Sequence, residues 1–179
     1  MRLTTTGALL TAMVFALAAN TSIAEEQTLK AVMPWSGEGQ VYRIGESTVL
    51  FLGYFEGIMY VETSEGSIDE AFTRCPVIQN INLETSGTSV SGYCTMTQSA
   101  DDSVYAKFAC DGKPGGCQGT FELTGGTGIF EDASGSSELS IRTPLGNLIG
   151  GMADGSTVRV DSGVAILSKL TYTLPKDRR

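Results

Sequence analysis

The side chains able to do chemistry in this chain are few: four cysteines, and a group of Tyr54, Glu56 and Tyr60 beside a single tryptophan, Trp35. There is no histidine. That removes a Ser-His-Asp triad, a Cys-His dyad and any His-ligated metal, so acid–base chemistry falls to Asp, Glu, Lys, Tyr or a bound water. Tyr54 and Glu56 share a strand face with Leu50 and Leu52. An acid on an otherwise apolar face, at the mouth of a cavity, would orient a ligand. As the last residue before Gly57 it is more simply a solvated strand end, and that reading is preferred. Trp35 follows Pro34 in a Gly-rich stretch. It is either a lid over a cavity or a plug for its end, with the plug favoured. Trp35, Tyr54, Glu56 and Tyr60 are thus the candidate ligand-binding residues, and Val49, Phe51 and Phe55 on the opposite parity read as core.

The cysteines, Cys75, Cys94, Cys110 and Cys117, are even in number. In an oxidising compartment this reads as two disulfides with three possible pairings. Cys75–Cys94 and Cys110–Cys117 are favoured, because each closes neighbouring strands or one hairpin. A zinc site is the rival, but the spacing is not of the CxxC type, so no metal is expected.

Two other segments invite a ligand reading. Gly125, Gly126 and Gly128 in Gly-Gly-Thr-Gly resemble a phosphate cradle, which needs converging backbone N–H groups. No lysine follows, and Glu131-Asp132 would repel an anion. These glycines are therefore expected to serve the fold, with Phe130 as a buried anchor beside them. Asp101-Asp102 would hold calcium together with Glu122 or Asp111, but EF-hand spacing is absent and a solvated hairpin turn is preferred.

The elements that must position these residues begin after an apparent leader. Residues 1–24 carry Arg2, an apolar core from Gly7 to Ala19 and a Ser22-Ile23-Ala24 end, the pattern of a secretory signal peptide cut before Glu25. Residues 25–179 then form one domain. Its 11 basic and 20 acidic residues disfavour nucleic acid and anionic lipid as partners. No other stretch is apolar enough to cross a membrane as a helix. A secreted or periplasmic protein is expected.

Within that domain the period is two almost throughout. Strands are expected at 27–33 (closed by Pro34), 40–44, 47–55 and 58–62, with a tight hairpin at Glu56-Gly57 and a turn over 35–39. Further strands are expected at 73–83, 89–97, 104–110, 118–123 and 137–143, doubtfully at 148–152, and over 157–174 with a break near Ser162-Gly163. The one helical candidate is a single turn around Gly128 to Asp132. Sequential strands with short turns predict an all-β, antiparallel up-and-down barrel of about eight strands, the size that leaves room for side chains or one small ligand.

Gly125-Gly126-Thr127-Gly128-Ile129-Phe130, followed by Ala133-Ser134-Gly135-Ser136, resembles the GGTGxF…A-x-G segment of the allene oxide cyclase barrel superfamily, which plant dirigent proteins share. Ser91-Gly92-Tyr93-Cys94, Asp101-Asp102 and Lys107-Phe108 resemble the corresponding strands of small secreted bacterial proteins with this barrel. The resemblance is carried by the stretch from Thr73 to Thr143 and elsewhere by strand pattern alone. It implies an eight-stranded antiparallel barrel with a central cavity. In the family this barrel closes an allylic epoxide into a cyclopentenone, or holds phenoxy radicals for stereoselective coupling. Neither activity needs a cofactor. The N-terminal half carries no motif matching the cyclase cavity, so its catalytic residues do not transfer. The expected function is a binding or structural module for a small apolar molecule, and the alternative is a cofactor-free cyclase or isomerase, or a dirigent-like guide.

Overall fold

Strict alternation of apolar and polar residues produces eight strands, described by a computed structural model over residues 25–63, 66–113, 115–144 and 158–174. They are β1 (Glu25–Arg43), β2 (Thr48–Glu62), β3 (Ile68–Asn82), β4 (Gly87–Thr97), β5 (Ser103–Lys113), β6 (Gly116–Gly126), β7 (Ser134–Arg142) and β8 (Val158–Leu174). A single 3-10 turn, Gly128–Phe130, interrupts the connection from β6 to β7. The expected leader over 1–24, the doubtful strand at 148–152 and the terminus over 175–179 lie outside the described residues.

Each strand pairs antiparallel with the next, and β8 pairs with β1, so the sheet closes into an eight-stranded up-and-down barrel. Closure leaves no edge to be protected. It also puts the starts of odd strands and the ends of even strands at the same rim.

The strands are longer than the turn residues suggest. Pro34 does not end β1, Glu56-Gly57 is not a hairpin, residues 35–39 are not a turn, and β8 runs unbroken through Ser162-Gly163. The first hairpin instead turns at 44–47, where the Ile44 N–H donates to the Thr48 carbonyl. Pro34 is accommodated because the β1–β2 ladder is interrupted between Val32 and Trp35, with the same register on either side. The glycines are interior spacers. A Cβ on Gly37 would lie 2.6 Å from the Phe55 ring, and one on Gly163 would lie 2.6 Å from the Trp35 ring. Absent side chains at these inward positions make room for two large rings in a narrow barrel.

Inside, Val49, Phe51, Phe55 and Met59 of β2 alternate with outward residues, as do Val90, Cys94 and Met96 of β4 and Leu139 and Ile141 of β7. Trp35 and Phe55 stack with ring centroids 4.2 Å apart. The remaining space in this middle zone is about 30 Å³, room for about one water. The disulfides are Cys75–Cys94, joining β3 to β4, and Cys110–Cys117, across the β5–β6 hairpin. All four cysteines are buried in the barrel. Two disulfides fit an oxidising compartment. No described helix is long and apolar enough to cross a membrane.

Candidate functional site

At the rim where β1, β3, β5 and β7 begin, inward positions carry aliphatic side chains in place of the large rings of the middle, and the packed core stops short. The result is a cup of about 480 Å³. Leu29, Val61, Ala71, Met96, Leu123 and Leu170 wall it. Polar groups gather at its lip: Gln27, Asp69, Glu70, Gln98 and Tyr172, with the hydroxyls of Thr63 and Ser67 paired at 2.7 Å. The Tyr172 hydroxyl donates to Gln27 Oε1 at 2.6 Å, bridging β8 to β1 across the lip. A cavity of this size, apolar within and polar at the edge, can enclose a small organic molecule while orienting one end of it.

One side of the lip is the β6–β7 connection, whose Ile129, Phe130 and Ala133 line the cup. Here the Gly-rich segment finds its role in holding a strap in place. Gly128 adopts φ +59, a region that costs other residues strain. A Cβ on Gly126 would lie 2.5 Å from both the Ser103 and the Phe130 carbonyl oxygens, so only glycine allows this approach. Asp102, on the preceding β4–β5 turn, accepts hydrogen bonds from the Ser99 hydroxyl at 2.7 Å and from the Ile129 N–H at 3.0 Å. Thr127 adds a second tie, its hydroxyl donating to the Asp101 carbonyl at 2.8 Å. Asp102 is thus engaged as a clamp. Phe130 is half-buried at the lip, where the sequence suggested a buried anchor, because the 3-10 turn sets its ring against the edge of an open cup. Gly126→Ala should cost more than about 1 kcal/mol, read as a shifted urea midpoint, because backbone oxygens on both sides cannot yield.

The clamp is acid-sensitive. The hydrogen bond from Ser99, then that from the Ile129 amide, hold the Asp102 carboxyl below its ordinary value, against a smaller opposing effect of burial. A lowered folded-state pKa gives stability that is complete above the ordinary aspartate value of about 3.9 and is lost as pH falls through the lowered one. Asp102→Ala should therefore lower the melting temperature at neutral pH and speed hydrogen exchange at the Ile129 amide. The melting difference from the native chain should close in strong acid. A difference that persists there unchanged would refute the clamp.

The sequence candidates fall elsewhere. Tyr54, Glu56 and Tyr60 do share one strand face with Leu50 and Leu52, but it is the outer face, because Val49, Phe51, Phe55 and Met59 fill the inside. Glu56 is in mid-strand opposite Arg74 and not at a mouth. Tyr54 donates to Glu38 Oε2 at 3.1 Å, and the Arg74 guanidinium lies 4.1 Å over its ring and 3.8 Å from Glu56. The bond to Glu38 pushes the Tyr54 phenol up, and the Arg74 charge opposes this. These residues form an outer-wall charge cluster. Trp35 is buried in mid-strand as a core filler, so it is neither a loop lid nor a plug at the barrel end. None of the four lines the cup.

The strand residues that line it were individually unremarkable in the sequence, whereas Ile129, Phe130 and Ala133 stood in the Gly-rich motif. A usable signal existed in the topology: in an up-and-down barrel the first inward residues of odd strands and the last of even strands share one rim, which groups Leu29, Ala71 and Val104 with Val61, Met96 and Leu123. A depression of about 470 Å³ also lies on the outer wall beside Leu52, Pro76, Ile78 and Tyr93. It is bounded by one sheet surface only, whereas the cup has strands on all sides. No protein-family model matches the chain, and neither a curated protein nor a solved structure shows detectable similarity to it.

Proposed function

We propose that this chain is an exported, disulfide-bonded barrel of the allene oxide cyclase-like type that binds a small apolar molecule in its open end. The observation that carries the reading is the cup: about 480 Å³ of apolar-walled space at one rim of a barrel whose middle is packed. Two disulfides in the core support an oxidising, secreted or periplasmic setting. The core is apolar and the outer wall carries Glu38, Glu56, Arg74, Lys107 and Glu122, the reverse of a membrane barrel, which supports action in water.

The second reading, a cofactor-free cyclase, isomerase or dirigent-like guide, draws support from the Tyr172 phenol and the Asp69 carboxylate beside the same space. They are groups able to donate to or accept from a reacting molecule. Titration with the neutral apolar fluorophore N-phenylnaphthylamine tests the shared premise. Saturable binding at one site per chain is expected. Ala71→Trp, which fills the cup from β3, should abolish it while both disulfides form and melting stays cooperative. Absent saturable binding, or binding undiminished in Ala71→Trp, overturns the cup as the site.

A further inference from the structure

We infer that the polar end of the cup's ligand is a cation or a neutral hydrogen-bond donor and not a carboxylate or phosphate; this rests on the reading of the cup as a binding site. Two carboxylates border the lip, Asp69 on the inward face of β3 with Ala71 and Glu70 next to it on the outer face, and no lysine or arginine is among the described residues that line the cup. The Tyr172 hydroxyl donates its proton to Gln27 Oε1 at the same lip. An anionic head group at this lip would meet like charge, with no lysine or arginine among the described lining residues to offset it. An ammonium or an alcohol would meet acceptors. The walls below are hydrocarbon, so the occupant is an amphiphile: a compact apolar body inside and an amine, quaternary ammonium or hydroxyl at the lip. The chain's overall charge of −8 acts in the same direction on approach.

The geometry separates this inference from the broader one. The apolar walls favour any small hydrocarbon body through burial, whereas Asp69 and Glu70 discriminate only between head groups. Both carboxylates are exposed, so their effect is screened by salt and is of modest size.

The experiment is displacement of bound N-phenylnaphthylamine by decyltrimethylammonium, decanol and decanoate, each below its micelle concentration, at low and high salt. The expected order of affinity is ammonium, then alcohol, then carboxylate. Ammonium should exceed carboxylate by about tenfold at low salt, from two exposed charges near the head group. The gap should narrow at high salt and in the double variant Asp69→Asn, Glu70→Gln. Equal affinities, or a carboxylate preference, overturn the inference and leave the cup standing as an apolar site. A preference unchanged in the double variant overturns its assignment to Asp69 and Glu70. Ammonium binding that persists in Ala71→Trp shows mere adsorption to the acidic surface and also overturns it. Failure of the fluorophore itself to bind overturns the cup reading beneath it.

Discussion

Trp35→Ala is expected to cost about 3–5 kcal/mol of folding stability. The indole is 6% exposed and stacks on Phe55 at 4.2 Å with a 23° interplanar angle. Gly37 and Gly163 have no side chain where it and its partner lie, so neither position can fill the space it leaves. Its Nε1 has no hydrogen-bond partner, however. A buried donor without a partner costs free energy in the folded state. Trp35→Phe removes that donor along with part of the ring, so its cost should be less than half that of Trp35→Ala. Urea unfolding of both variants decides the matter. Equal losses would show that the indole N–H contributes to stability through an internal water, and that packing alone does not explain the site.

Removing the Cys75–Cys94 bridge by the double change Cys75→Ala, Cys94→Ala should destabilise by about 3 kcal/mol. The bridge spans a sequence separation of 19, so it restrains a sizeable unfolded loop. It also joins β3 to β4 where their ladder is interrupted between Arg74 and Val77, at Pro76, which donates no hydrogen bond. The covalent link therefore stands where the ladder is weakest. At roughly 2–4 °C per kcal/mol for a chain of this size, melting should fall by about 6–12 °C. Cys110–Cys117 spans only 7 positions within a continuous ladder, so its removal should cost less, about 2 kcal/mol. A loss under about 1 kcal/mol for the first bridge, or a larger loss for the second, would contradict this ranking.

What the sequence determined by itself was the class, the inward sets and the covalent framework. Period-two alternation is a local property, set by the geometry of the extended chain. Val90, Cys94 and Met96 could be placed on one face, and Phe51 and Phe55 in the core, before any neighbour was known. Turn residues between sequential strands pointed to a meander, and a meander of about eight strands closes on itself. The Cys110–Cys117 hairpin and the single turn at Gly128 were legible for the same reason, since each is decided within a few residues.

Only the tertiary structure decided where strands end and where the cup lies. Pro34, Gly57 and Gly163 look like breaks because glycine and proline weaken an isolated strand. In the barrel they answer to partners far along the chain: Gly163 to the Trp35 ring, Gly57 to the Pro34 backbone. Tyr54 and Glu56 could be assigned the face opposite the core set of Val49, Phe51 and Phe55, but the position of Glu56 in mid-strand opposite Arg74 follows only from the pairing of β2 with β3. Asp102 read as a solvated turn residue, and its grip on the Ile129 amide, 27 positions away, exists only when the β4–β5 turn meets the β6–β7 strap. The cup is the extreme case. It is composed of residues from seven strands and their connections, and it becomes a site only because the up-and-down order brings the starts of odd strands and the ends of even strands to one rim and closure rings them together, beyond the reach of the large rings that fill the middle.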